Sequence, residues 1–283
     1  MDLAVTGRRP RDDPMSRPRA ALVYDRADMS ELVAVQPSVP AYRSPALVAL
    51  DDDAPRLEDL FTFMVDAELR VQTLRLRVEE RVGTAKGEEL STIELVLRHP
   101  GKARITTRKG TDPLGRQYRI WASDGQLVTT YDANDERASV RPARPAPVGA
   151  ADSGRPRFSQ VYLPRTALPV SSVMDTMVHP HGLIRNVLLT GPVALMGTTH
   201  LAGGRETLVL RADHPRSAHV LTDRPDRWVE VGVDRMTGFI TLLAEHVGDR
   251  VTRHAQAIGL ETDGFVPEEA FTVHLPGDVR MIY

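Results

Sequence analysis

Residues 71–82, VQTLRLRVEERV, alternate apolar and polar side chains, with Leu74, Leu76 and Val78 set against Arg75, Arg77 and Glu79. A period of two places each set on one face of an extended chain, so the segment predicts a half-buried β-strand. The alternation recurs in STIELVLRHPGKARITTR, where Pro100-Gly101 marks a turn between two strands. It recurs again in QYRIWASDGQLVTTYDA, where Asp124-Gly125 is a hairpin turn. Consecutive antiparallel strands are therefore expected over roughly residues 71 to 141.

Strands resume in VALMGTTHLAGGRETLVLRADH, which starts at Val193. VEVGVDRMTGFITLLAEHVGDRVTRHAQAIGL then reads as three strands from Val229 to Leu260, the last two joined at Gly248-Asp249. Phe271, Val273 and Leu275 predict a closing strand, with Pro276-Gly277 beyond it.

Two regions switch to helical spacing. Asp51-Asp52-Asp53 and Pro55 signal a helix start, and Leu57, Leu60, Phe61 and Met64 supply one apolar stripe. Ser171 or Ser172 can cap a second helix bearing Met174, Met177 and Val178. Pro180 and Gly182 should break it, with a further turn over Leu183 to Leu188.

Two stretches carry no period. Residues 1–53 are rich in Arg, Asp and Pro and predict a flexible N-terminal segment. The prolines of residues 141–170 remove ladder donors and predict a long loop over the sheet. The domain then spans 54–283. Its expected class is α+β, mainly antiparallel β: a single strongly curved sheet or incomplete barrel of about ten or eleven strands, with covering helices. No β-α-β alternation supports a parallel sheet.

Composition narrows the function. With 41% hydrophobic and 26% charged residues, the bulk of the chain can bury a core. A net charge of −2 offers no field for nucleic acid. The absence of cysteine excludes disulfides, thiolate metal sites and a cysteine nucleophile. No signal-peptide-like run and no transmembrane segment is visible, so the sequence as written predicts a soluble, cytoplasmic protein.

Motifs for chemistry are weak, and neither an enzyme activity nor a cofactor is expected. No Gly-x-Ser-x-Gly elbow, phosphate loop or His-Glu-x-x-His helix occurs. His179-Pro180-His181 reads as a solvated loop at a helix break rather than a metal site, since a third ligand is missing. His200, His214, His219, His246 and His254 are scattered. Glu79-Glu80 and Glu88-Glu89 are strand neighbours pointing to opposite faces, so neither pair can act on one bond.

The C-terminal third resembles the LolA/RseB-like superfamily of bacterial lipoprotein carriers and sigma-factor regulatory proteins. The resemblance rests on AGGRETLVLRADHPR followed by WVEVGVDRMTGFITLLAEHVGDRVTRHAQAIGLETDGFVPEEAFTVHLP, with Asp234, Thr237, Gly238, Gly248, Phe271 and Pro276 at the matching positions. The order of helix, strand pair and hairpin upstream agrees, so the likeness covers roughly residues 57 to 276. It implies an apolar hollow between sheet and helices, and a hydrophobic ligand such as a lipid or lipoprotein acyl chain. It also implies export to the cell envelope, against the missing signal.

The candidate wall of that hollow is Ile93, Leu95, Leu97, Ile120, Trp121, Tyr131, Leu208, Leu210, Val231, Ile240 and Leu242. The candidate lid is Met174, Met177 and Ile184, and the flexible thioethers of the two methionines suit variable cargo. An acyl chain of about fourteen carbons would gain on the order of 10 kcal/mol gross from such burial. The competing reading is that these residues simply pack on one another as core. A second function also fits: a regulatory or scaffolding module of the same fold that binds a protein partner through the sheet or the Pro-rich loop.

Overall fold

The structure is a computed structural model and describes residues 47–50, 54–110, 116–143, 164–201, 203–213 and 226–282. The N-terminal segment up to residue 46, the acidic triplet Asp51–Asp53, the centre of the Pro-rich loop, His214 and His219 lie outside the described residues.

Two meanders make one sheet. The first comprises β1 (Thr73–Thr84), β2 (Gly87–Arg98), β3 (Lys102–Lys109), β4 (Tyr118–Asp124), β5 (Leu127–Asp132) and β6 (Arg137–Pro142). The second comprises β7 (Val193–Leu201), β8 (Arg205–Asp213), β9 (Arg227–Asp234), β10 (Ile240–Val247) and β11 (Arg250–Thr262). They join where β1 pairs antiparallel with β11. β12 (Arg280–Met281) adds two residues parallel to β6, and the order is β12-β6-β5-β4-β3-β2-β1-β11-β10-β9-β8-β7. The sheet is open: β7 and β12 lie at its two ends.

The turns follow local chemistry. Gly125 takes φ +98° and the Asp124 carboxylate accepts the N–H groups of Gln126 (2.8 Å) and Leu127 (2.7 Å). Those bonds hold Asp124 below the usual carboxylate range. The Asp234 carboxylate builds the turn after β9. It accepts the N–H (2.8 Å) and hydroxyl (2.7 Å) of Thr237, and a fork from Arg205 at 2.7 and 3.2 Å.

The two faces of the sheet differ. Leu74, Leu76 and Val78 of β1 sit opposite Leu97, Leu95 and Ile93 of β2, and all six are buried. This face carries three helices: α1 (Leu57–Val65), α2 (Val173–Val178) and α3 (His181–Asn186). Leu60, Phe61 and Met64 of α1 enter the same core, as their spacing predicts. Ser172 caps α2 by accepting the Asp175 N–H at 3.1 Å, and the break falls at Pro180.

The outer face presents Arg104, Thr106, Ile120 and Tyr131 at alternating positions. Ile120, Ala122, Tyr131 and Ala138 form a small second core there, covered by Val273, Leu275, Val279 and Met281. This corrects the expected closing strand. Residues 268–271 form a short 3-10 turn, and Val273 and Leu275 follow in irregular chain. The alternation of Phe271, Val273 and Leu275 reflects burial against the outer face, which the segment crosses on its way to β6. It joins no ladder until Arg280.

Candidate functional site

Ten of the fourteen candidate ligand residues meet in the main core: Ile93, Leu95, Leu97, Met174, Met177, Ile184, Leu208, Leu210, Val231 and Ile240. Trp121 packs against that cluster while half-buried. α2 packs on β10 and against α3, with Met174, Met177 and Ile184 at most 1% exposed. The remaining three are elsewhere. Ile120 and Tyr131 belong to the second core on the outer face. Leu242 faces the same way as Thr207, crowding Gly232, and its neighbour Leu243 enters the main core instead. The physical reason is parity. Strand neighbours point oppositely, so Ile120 and Trp121 cannot share a wall, and the irregular register between Ile240 and Leu242 turns Leu242 away from the side of Ile240.

Beside the lid lies a buried polar cluster that the sequence reading missed. His179 and His181 are 6% and 8% exposed, which corrects the expected solvated loop. His179 Nδ1 lies 3.0 Å from Asp175 Oδ1, one helical turn back, and its Nε2 lies 3.4 Å from Glu68 Oε2. Glu68, in the 3-10 turn after α1, also accepts the Arg165 N–H at 3.1 Å. His99 Nδ1 lies 2.8 Å from Thr166 Oγ1, which accepts the Gly101 N–H at 2.8 Å. The two imidazoles titrate in opposite senses. Burial pushes His99 down to about 4, helped by the charges of Arg165 and His179. Burial also disfavours charge on His179, but hydrogen bonds and charge from Asp175 and Glu68 outweigh it, and its pKa rises. The cluster thus sets the His179 imidazole between two carboxylates, which favours its charged form, and ties α2 to the turn after α1. Among the described residues no group of three or more His, Asp or Glu side chains is placed to hold a metal ion. Asp175 and His179 at helical i, i+4 spacing were a readable signal; Glu68 and His99 were not.

A further feature is the β7 edge. Asp213 N–H donates to Pro192 O at 3.0 Å, which fixes the first rung of the β7/β8 ladder. Counting from that rung through the irregularity between Leu195 and Gly197, the backbones of Val193, Leu195, Thr198 and His200 face away from β8. The strand VALMGTTHL has no Asp, Glu, Lys, Arg or Pro. Exposed Met196 (59%) lies within it and exposed Leu189 (48%) shortly before it. The opposite edge is different: β6 is capped by β12 and carries Arg137, Arg141 and Pro142.

No helix among the described residues is long and apolar enough to cross a membrane. No family model matches the sequence, and no curated protein does. Solved structures similar to the chain include a crystal structure of MucB, at 14% identity over 76% of this chain and 62% of that one, with a TM-score of 0.45. The MucA/MucB complex of Pseudomonas aeruginosa is similar at 16% identity over 77% and 60%, TM-score 0.44. A LolA superfamily protein from Nitrosomonas europaea is similar at 10% identity over 78% and 99%, TM-score 0.29. The chain spans about 62% of the length of MucB.

Proposed function

We propose that this domain is a non-enzymatic binding module that takes an extended segment of a partner protein as an added strand along β7. The observation that carries this reading is the β7 edge, which pairs with no other strand among the described residues. Four outward-facing backbone positions alternate along a proline-free strand that lacks Asp, Glu, Lys and Arg. Sheets normally blunt such an edge with charge, proline or a covering element, as happens here at β6. A partner strand would satisfy those N–H and C=O groups, and its alternate side chains would meet Leu189 and Met196.

The test uses Thr198→Pro. The Thr198 N–H points away from β8, so proline removes a donor from the free edge without breaking the internal ladder. Arrayed ten-residue peptides of alternating apolar and polar residues are the probe. Peptides captured by the native protein and lost on T198P, at an unchanged melting temperature, support the reading. Capture that T198P leaves intact sinks it.

A second reading places a hydrophobic ligand, a lipid or lipoprotein acyl chain, beneath α2 and α3 against Leu208, Leu210, Val231 and Ile240. The lid's construction favours it: two helices of six residues each, with two methionines facing the sheet. Helices this short hold their shape through packing rather than propensity. The guest would have to displace the lid, since Met174, Met177 and Ile184 already fill the space. Native mass spectrometry and uptake of a fluorescent fatty acid test it; a ligand-free mass with no uptake counts against it.

A further inference from the structure

The outer face holds a groove of about 350 Å³ between β3–β4 and the C-terminal segment. Tyr118, Ile120 and Val273 give it apolar surface, Arg104 and Arg108 give it positive charge, and Thr106, Thr272 and His274 complete the lining. Such a volume is at the small end for ligand sites. It is separate from the helix face and from the β7 edge.

The charges around the groove do not balance. β3 points Lys102, Arg104 and Arg108 to the outer face at same-face positions, and Arg98 and Arg77 flank them from β2 and β1. Two carboxylates ion-pair with this group. Glu268 serves both Arg98 and Lys102. Glu94 serves Arg108 at 2.9 Å and Arg77 at 3.7 Å. Asp124 stands opposite Lys102, but its carboxylate is taken up by the turn N–H groups of Gln126 and Leu127. Arg104 has no carboxylate among the described residues. Its Nη1 donates to the carbonyls of Thr272 (3.2 Å) and Ala270 (3.4 Å), while Nε and Nη2 make no hydrogen bond among those residues. A guanidinium presents five donors in a planar fork, and the unused edge of this one suits a bidentate anion.

We infer that this groove binds a small aromatic acid: a carboxylate or phosphate held by Arg104 and Arg108, with its flat apolar body on Tyr118, Ile120 and Val273. The anion would supply the missing counter-charge. The ring would cover apolar surface that the C-terminal segment leaves partly open. His274 also lines the groove.

The test is an amide NMR titration of the full chain with phenyl phosphate, inorganic phosphate and benzyl alcohol at fixed salt. Phenyl phosphate should shift residues 104–108, 118–120 and 272–274 saturably. The other two probes should bind at least about tenfold more weakly, because each lacks one half of the recognition. Arg104→Met should weaken phenyl phosphate by about tenfold or more, as loss of a charge-assisted pair does. If R104M instead loosens the C-terminal segment, seen as shifts throughout 272–281, Arg108→Gln decides. A weakening of several-fold supports the site, and unchanged affinity overturns it. Equal binding of inorganic phosphate overturns it too, as do shifts spread equally to Arg81 and Arg250 at the far hairpin tips.

Discussion

A β-carbon placed on Gly238 would stand 2.7 Å from the carbonyl oxygen of Phe63. The turn after β9 and the last turn of α1 thus meet with no side chain between them. Gly238 also takes φ +83°, a conformation that side chains resist. The Phe63 carbonyl accepts Arg70 Nη1 at 2.8 Å, and the same guanidinium lies 4.1 Å from the Phe63 ring centre. This seat fixes α1 on the sheet, and Asp234 fixes the seat.

Gly238→Ala should therefore fail twice, through strain and through collision. We expect a loss of about 3 kcal/mol or more in urea unfolding. Gly203→Ala has a similar φ of +84° but open space around it, so it should lose only about 1 kcal/mol. Equal losses would show that close approach to α1 contributes nothing.

Replacing His179 by Leu leaves Glu68 and Asp175 without the imidazole that stands between them. The expected cost is about 3–5 kcal/mol. Adding Glu68→Gln should recover part of it, giving a coupling of about 1 kcal/mol or more in a double-mutant cycle. Strict additivity of the two changes would mean that the latch between α2 and the turn after α1 is only proximity.

The histidines set a pH dependence with two signs. His99 has a folded pKa of about 4, below its unfolded value of 6.5. The unfolded chain therefore binds more protons between those values, and stability falls as pH drops from 6.5 towards 4, by at most about 3 kcal/mol. His179 is raised, so its contribution is present below 6.5 and fades as pH climbs through its folded value. Proton NMR of the two rings should place His99 well below and His179 above an ordinary histidine. His99→Phe should flatten the acid limb, and an unchanged acid limb would remove His99 as its cause.

Met177 is fully buried beneath the lid. Met177→Ala should cost about 2–5 kcal/mol if the core stays collapsed around the hole. A fluorescent fatty acid that binds M177A more tightly than the native protein would show that the methionine occupies a guest's space.

Much of this architecture is legible in the chain. Strand parity in residues 73–132, the hairpin at Asp124-Gly125, the Ser172 cap and the break at Pro180 all follow from short-range rules, and each stands where expected. The misses are long-range. Ile120 and Trp121 look alike as apolar neighbours, and only the register with β3 shows which enters the main core. Phe271 to Leu275 alternate as a strand does, but the ladder they would need lies beneath them. The pairing of Glu68 with His179 spans more than a hundred residues, so no local spacing announces it.

The sheet is held at its middle by one long ladder, from Leu74↔Thr262 to Val82↔Arg253. Every other antiparallel pairing within the sheet joins strands adjacent in sequence. Each meander can therefore assemble from neighbours at small loop-closure cost, while the central seam must bring together positions nearly the whole domain apart. Joining the halves is then the slow event of folding, and substitutions in β1 and β11 should slow refolding more than equally destabilising ones elsewhere.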